Sequence, residues 1–175
     1  TRTKGVVRTS LEESLMLMEA YGLEPEMGHK EVGGVKAGMD ASGNLTHIME
    51  QLEIDWKYST AVQSVDNELL VKSIVKETFR NNGLEVTFLA KPIDGVAGSG
   101  EHTHIGMALK LKNGKMINLF SSTKNHFLSI FGYASVMGIL KNYEVINPFV
   151  SSTTDSLRRL KPGFEAPICI VTSIG

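Results

Sequence analysis

Two histidines stand two residues apart in the segment GSGEHTHIG, where His102 and His104 follow a Gly-Ser-Gly turn and Glu101. Successive side chains of a strand point to opposite faces, so both imidazoles would lie on one side of one strand. An imidazole can carry a proton, form hydrogen bonds or bind a metal ion near neutral pH. On spacing alone, two hydrogen-bonded histidines on a solvated sheet face are the simpler explanation, and a metal site is the more specific alternative.

Carboxylates elsewhere in the chain extend the metal hypothesis. A zinc site needs third and fourth ligands, and Cys169 is the single cysteine, so no cysteine cluster is available. Glu31 and Glu53 lie in the short mixed segments MGHKEVGG and EQLEIDWKY. Carboxylates combined with one histidine suit Mg²⁺ or Mn²⁺. Each glutamate taken alone also fits an ordinary solvated surface acid.

A pair of arginines, Arg158 and Arg159, offers a different chemistry. Adjacent arginines form a surface charge cluster in most proteins. The planar guanidinium can instead bind a carboxylate through two parallel hydrogen bonds. The sequence spacing is compatible with both interpretations.

Helices and turns must position these side chains. Ser10 and Glu13 fit a capping box that opens a first helix, and Gly22 ends it. Asp66 is predicted to open a second helix that ends at Gly83. That helix carries one apolar stripe, formed by Leu70, Val71, Ile74, Val75, Thr78 and Phe79. A third helix is predicted over residues 122–142, and the Asn147-Pro148 pair is predicted to break the chain.

Strands are predicted between the helices. Residues 26–32 favour a short strand, and the Gly-rich segment 33–46 favours a flexible loop. Alternating apolar residues predict strands over 84–90 and 105–111, the second with Ile105, Met107, Leu109 and Leu111 facing a core. Asn113-Gly114 is typical of a two-residue type I′ hairpin turn. Hairpin strands interleaved with helices predict an α+β fold, with one sheet face on helices and the histidines on the open face.

Whole-chain properties exclude several function classes. With 175 residues, 42% of them apolar, the chain is long enough for one domain or a large piece of one. A net charge of −1 without a dense basic run argues against nucleic acid as a partner. No membrane span or signal peptide is apparent, and the single cysteine favours a reducing cytoplasm. Because the chain starts at Thr1 and ends in a β-branched run, we expect a segment of a longer protein.

Four blocks, in order, resemble segments of the glutamine synthetase family. GHKEV at 28–32 is similar to H-H-E-V, and EQLEIDWKY at 50–58 is similar to G-Q-x-E-I-D-x-x-Y. KPIDGVAGSGEHTHIGM at 91–107 resembles K-P-x-x-G-x-x-G-S-G-x-H-x-H, and SLRRLKPGFEAPICI at 156–170 resembles S-Y-x-R-L-V-P-G-Y-E-A-P. Four ordered blocks are much harder to obtain by chance than one.

The resemblance implies a fold and a place in it. The fold would be a curved, mostly antiparallel sheet with helices packed on one face and the active site on the open face. The chain would be the middle part of the catalytic domain, without the N-terminal domain or the C-terminal remainder, and alone it would be inactive. A cytoplasmic homo-oligomeric ring is implied for the full-length protein.

Site roles follow from the same resemblance. Glu31 and His102 would bind one Mg²⁺ or Mn²⁺ ion, and Glu53 would bind the other. Gly98 would touch the glutamate substrate, and Arg159 would hold its carboxylate. Glu165 would lie in the flap over the ammonium site, and His104 would lie near ATP. The implied reaction is ATP-dependent ligation of ammonia to glutamate through a γ-glutamyl phosphate. A γ-glutamyl ligase using a larger amine, and a structural or regulatory family member without catalysis, are the alternatives.

Several positions depart from the family pattern. Ala97 stands where the family usually has Asn, Glu101 where it has Met, and Gly106 where a Ser commonly follows the second histidine. Residues 32–52 separate two glutamates that common members keep close in sequence, so we interpret 33–46 as a loop insertion over the site. These departures bear on the identity of substrate and nucleotide more than on metal binding.

Overall fold

A computed structural model describes residues 3–35, 38–39, 41–43, 49–122 and 126–159. The chain divides into two units, residues 1–99 and 100–175. The first unit contains α1 (Gly5–Ala20), β1 (Pro25–Val35), β2 (Met49–Trp56) and α2 (Ala61–Asn81). The second contains β3 (Ala108–Lys110), β4 (Met116–Asn118), α3 (Ile130–Lys141), α4 (Tyr143–Val150) and α5 (Thr154–Leu157). The α+β prediction is confirmed.

The core of the first unit lies between its two helices and one face of its sheet. The predicted stripe of α2 is buried except for Leu70, which is 38% exposed. It packs with Leu11, Met18 and Leu23. Leu52, Ile54 and Trp56, which alternate along β2, pack against this core from the sheet. One face of the β1–β2 sheet therefore lies on the helices, as predicted, and the other face is left for the site.

Both helix ends were predicted correctly and both starts were wrong. Gly22 and Gly83, each with φ +74°, follow the last turns of α1 and α2 and take up a backbone conformation that glycine adopts without strain. However, α1 begins at Gly5, and Ser10 is buried inside it. The Ser10 hydroxyl donates to the Val6 carbonyl oxygen at 2.8 Å, which is how a serine is accommodated within a helix. Likewise α2 begins at Ala61, five residues before Asp66.

Two methionines of α1 allow a matched test of this core. Met18 is fully buried, whereas Met16 is 71% exposed. We expect Met18→Ala to lower the free energy of unfolding by about 2–5 kcal/mol, because it removes apolar contacts and leaves a cavity. Met16→Ala should change it by about 0.5 kcal/mol or less. Urea denaturation followed by circular dichroism measures both, and equal losses would contradict the assigned core.

An irregularity interrupts the antiparallel pairing of β1 with β2. Lys30 pairs with Leu52 and Gly34 pairs with Glu50, so residues 31–33 of β1 lie opposite the single residue Gln51. This is a β-bulge with two extra residues on β1, one more than in the common types, and bulges re-aim side chains and often border active sites. An ion pair spans it, with 2.9 Å between Lys30 Nζ and Glu50 Oε1.

Two predictions for the loops of this unit need correction. Gly33 and Gly34 belong to β1 rather than to a flexible loop, and residues 36–37, 40 and 44–46 of the predicted loop lie outside the described residues. The predicted strand over 84–90 is wrong, since this segment is irregular and none of the described strands pairs with it. Its alternation was still informative, because Leu84 and Val86 pack against the core.

The second unit contains a short hairpin. β3 pairs with β4 in antiparallel register, from Ala108 opposite Asn118 to Lys110 opposite Met116. The predicted hairpin is confirmed, but the predicted type I′ turn is wrong. Gly114 has φ +84° whereas Asn113 does not have a positive φ, and a type I′ turn needs both. The strand is also shorter than predicted, since residues 101–107 are irregular.

Apolar side chains of the second unit are widely exposed. Ile105, Met107 and Leu109, predicted to face a core, are 67%, 48% and 49% exposed. The helices also differ from prediction. α3 begins at Ile130, with the Ser129 hydroxyl accepting a hydrogen bond from the Gly132 N–H at 3.1 Å. Pro148 lies inside α4 instead of breaking the chain before it.

None of the helices in the described ranges combines the length and apolar character needed to cross a membrane.

Candidate metal and substrate site

Three ligand-bearing side chains meet on the open face of the β1–β2 sheet. His29 lies opposite Glu53 in the ladder, and Glu31 lies two residues further along β1 on the same face. Their ligand atoms all lie within 4.8 Å of one another. His29 Nε2 is 2.8 Å from Glu31 Oε1 and 4.0 Å from Glu53 Oε2. We call His29, Glu31 and Glu53 the carboxylate cluster.

The chemistry of the cluster fits a divalent cation. All three residues are half-buried, so an ion bound here would exchange only part of its water shell for protein ligands. Two carboxylates and one imidazole form the ligand set expected for Mg²⁺ or Mn²⁺. The prediction placed Glu31 and Glu53 on different ions. In the structure their oxygens lie within reach of one ion, and the division between two ions stays a prediction.

Sequence reasoning missed His29. The segment MGHKEVGG was used only as the source of Glu31, although His29 and Glu31 have the same two-residue spacing as His102 and His104. In a strand, that spacing places two side chains on one face. The Nδ1 atom of His29 is buried and forms no hydrogen bond within the described part of the chain. Nε2 is therefore the ring nitrogen directed at the carboxylates.

Hydrogen bonds keep Glu31 ionised. The bond from His29, with a further one from the Val32 backbone N–H at 3.3 Å, lowers the pKa of the Glu31 carboxyl below its usual value of 4.5. A lowered folded-state pKa contributes stability that is present above the unfolded-state value and lost as pH falls through the folded-state value. The contribution of Glu31 therefore disappears only below about pH 4.5, and at neutral pH the Glu31 carboxyl is ionised.

Removing the imidazole should raise this pKa. We expect His29→Ala to move the titration midpoint of Glu31 upward toward 4.5, because the largest cause of the lowering is gone. Carboxyl ¹³C NMR of the protein without divalent cations measures the midpoint. His126→Ala, an exposed histidine of the second unit, is the control and should leave Glu31 unchanged. An unaltered midpoint in His29→Ala would contradict the assigned hydrogen bond.

Two predicted site residues of the second unit, Arg159 for the substrate and His102 for a metal ion, lie close together. A Cβ atom added to Gly100 would lie 2.9 Å from Arg159 Nη1 and 3.6 Å from His102 Nε2. Arg159 and His102, far apart in sequence, thus both lie against Gly100. Arg159 is half-buried and Arg158 is exposed. This difference in exposure distinguishes the two arginines, which the sequence alone did not.

The remaining predicted residues lie elsewhere. Gly98 belongs to the first unit and is half-buried, with its carbonyl oxygen accepting a hydrogen bond from Gln51. His104 is exposed in the irregular segment before β3. Glu165 lies outside the described residues. The roles proposed for these residues stay predictions.

Comparison with known proteins bears on the family. The sequence profile described as "Glutamine synthetase, catalytic domain" matches residues 6–174. The glutamine synthetase of Pyrococcus abyssi is 36% identical over 159 residues, covering 87% of this chain and 30% of that protein. The "3-hydroxylaminophenol mutase" of Cupriavidus pinatubonensis is 33% identical, covering 92% of this chain and 30% of that protein.

A solved structure agrees at the level of the fold and the sequence. "Apo GmaS without ligand" superposes with a TM-score of 0.68 and 27% identity, covering 87% of this chain and 32% of that one. This chain thus spans about a third of the length of the relatives it matches. The profile match over nearly the whole chain is sufficient for the assignment. The chain belongs to the glutamine synthetase family.

Proposed function

We propose that this chain is the middle part of a catalytic domain that ligates ammonia to glutamate at the expense of ATP. The observation that carries the proposal is the carboxylate cluster, which unites Glu31 with Glu53 on the open face of the sheet. A second support is the position of Arg159 against the turn that precedes His102. Family membership indicates a ligase in general, and these residues favour the specific reaction.

The cluster would hold Mg²⁺ or Mn²⁺. Such an ion neutralises negative charge on the phosphoryl group that ATP transfers. Glu31 and Glu53 would contribute carboxylate oxygens, and His29 would add an imidazole nitrogen. His102 is proposed as a further ligand and His104 as a neighbour of the nucleotide.

The loop residues would position the substrates for two chemical steps. A γ-carboxylate oxygen of glutamate attacks the γ-phosphorus of ATP, and ADP leaves. Ammonium then loses a proton, the ammonia nitrogen attacks the acyl carbon, and phosphate leaves. Arg159 would bind the other carboxylate of glutamate through its guanidinium fork and hold it in line for attack. Gly98 would line the substrate, and the Glu165 anion would favour ammonium while excluding water.

Exposed apolar side chains support a larger domain around this chain. Phe127, Ile130 and Phe149 are each at least 80% exposed, which is unusual for a surface that faces only water. We propose that further parts of the catalytic domain cover them, and that the full-length protein assembles into a cytoplasmic homo-oligomeric ring with sites completed between subunits.

A γ-glutamyl ligase with a larger amine substrate is the second candidate. Ala97 and Glu101 alter the residues on either side of the Gly-Ser-Gly turn, and relatives of similar identity carry different names. A family member without catalysis is disfavoured, since a purely structural protein has no need for the carboxylate cluster.

An amine screen separates these functions. The full-length protein is supplied with ATP, Mg²⁺ and glutamate, and ADP release is measured with ammonia and with primary amines of increasing size. We expect the largest kcat/KM with ammonia. A larger amine as the best substrate would establish the second candidate, and no ADP release with any amine would overturn both ligase assignments.

A further inference from the structure

The side chain of Gln51 connects two segments of the first unit. Its Oε1 accepts a hydrogen bond from the Gly33 backbone N–H at 2.7 Å. Its Nε2 donates to the Gly98 carbonyl oxygen at 2.8 Å. Both bonds are half-buried. One amide group therefore links the bulge of β1 to the loop that carries Gly98.

The bulge explains why an amide is needed on the β1 side. Because residues 31–33 lie opposite the single residue Gln51, the ladder leaves Gly33 without a paired residue on β2. A buried backbone N–H without an acceptor is costly, and the Gln51 oxygen supplies one. Gly33 also has no room for a side chain. A Cβ atom there would overlap the Gln51 amide and lie 3.2 Å from the Ala97 carbonyl oxygen.

The loop on the other side is closed by bonds of its own. The Ser99 N–H donates to the Ala90 carbonyl oxygen at 2.8 Å, which brings the two ends of the loop together. Lys91, only 5% exposed, donates to the Val96 carbonyl oxygen. Gln51 adds the bond that attaches this closed loop to the sheet. Gln51 also lies on the same face of β2 as Glu53, two residues away.

We infer that Gln51 is a positioning residue, whose amide fixes the Gly98 loop relative to the strand that carries the carboxylate cluster. The inference rests on the proposed function, in which Gly98 lines glutamate while Glu31 and Glu53 hold the cation. The two hydrogen bonds set the spacing between the substrate loop and the cation ligands. In this role Gln51 acts through its bonds to Gly33 and Gly98, without direct contact with the substrate or the cation.

Hydrogen exchange tests the link without reference to activity. Gln51→Met keeps the length of the side chain and removes both hydrogen bonds. We expect the Gly33 amide and the amides of residues 97–99 to exchange about tenfold faster or more. Gln63→Met is the matched control, because Gln63 is exposed on α2 and its amide nitrogen donates to Asn67 Oδ1 within that helix, at 2.8 Å. Unchanged exchange at residues 97–99 in Gln51→Met would overturn the inference.

Kinetics of the full-length protein then separate positioning from general stability. In Gln51→Met we expect the KM for glutamate to rise about five- to tenfold, with the KM for ATP and the affinity for Mn²⁺ within about twofold of wild type. Gln51→Glu keeps an acceptor for Gly33 but has no donor for Gly98, so it should reproduce the rise in KM. Equal changes for glutamate and ATP would indicate a merely structural residue and overturn the inference. An inactive wild type with altered exchange in Gln51→Met would overturn the proposed function and leave the mechanical link supported.

Discussion

Glu31→Gln is expected to weaken Mn²⁺ binding by the full-length protein by on the order of a hundredfold and to abolish ATP turnover while the fold survives. Replacing even a partner of a metal ligand typically costs about 10- to 100-fold in affinity, and Glu31 would be a ligand itself. The substitution keeps the size of the side chain and removes its charge. Electron paramagnetic resonance of free Mn²⁺ measures the affinity, and circular dichroism measures the fold.

A matched control lies on the same strand. Glu26 is exposed on β1 and outside the carboxylate cluster, so Glu26→Gln makes the same chemical change and should leave Mn²⁺ affinity and turnover unaltered. Equal losses for both variants would point to general electrostatics instead of a site. Full activity of Glu31→Gln with tightly bound zinc and without added Mg²⁺ would contradict the assigned ligands.

The same titration decides how the two glutamates share ions. If Glu31 and Glu53 bind one ion, then Glu31→Gln and Glu53→Gln each weaken the same site, and the double variant has no second site to lose. If they bind different ions, each single variant loses a different ion, and the double variant loses both. The distances within the cluster favour the first outcome.

Arg159→Lys should raise the KM for glutamate about tenfold or more in the full-length protein and affect ATP much less. Lysine keeps the positive charge but loses the planar fork that binds a carboxylate with two parallel hydrogen bonds. One hydrogen bond to a charged group contributes about 1.5–3 kcal/mol, which corresponds to a rise of this size. The guanidinium of Arg159 lies against Gly100, at the turn expected to border the substrate.

The adjacent arginine is the control for that experiment. Arg158 is exposed, and Arg158→Lys should leave the kinetics unchanged and alter stability by about 0.5 kcal/mol or less. Steady-state kinetics with varied glutamate and then varied ATP measure the effects. Equal effects at the two positions, or an unchanged KM for glutamate in Arg159→Lys, would mean that the assignment of Arg159 to the site is wrong.

Local signals predicted part of the fold well. The apolar stripe of α2 could be predicted because a helix that buries one face has apolar residues at helical spacing in its sequence. Gly22 and Gly83 marked helix ends because their backbone conformation is one that other residues avoid. The start of α1 could not be predicted, because a serine such as Ser10 can either cap a helix or donate to a carbonyl oxygen within it.

Features that depend on distant segments were predicted less well. Leu84 and Val86 alternate as in a strand, yet strand formation needs a pairing partner that no local pattern specifies. His29 was missed because its partner Glu53 reaches it only through the ladder register, which the bulge shifts. Glu31 and Glu53 were candidate ligands from their own segments, and family resemblance assigned them to metal ions. Their meeting on one face is a property of the hairpin.

The bulge of β1 also constrains which deletions the hairpin can tolerate. Between the pairs Lys30–Leu52 and Gly34–Glu50, β1 has three residues and β2 has one, an excess of two. An even excess preserves the alternation of faces on both sides of the bulge. Loss of a single residue from 31–33 would therefore exchange the helix-facing and open-facing sides at one end of the hairpin. Loss of two would keep the faces and produce a regular ladder, but the Gly33 N–H would no longer be presented to Gln51. Length variation at this point of the chain is thus expected only in steps of two residues. It is also expected only where another hydrogen bond replaces those of Gln51.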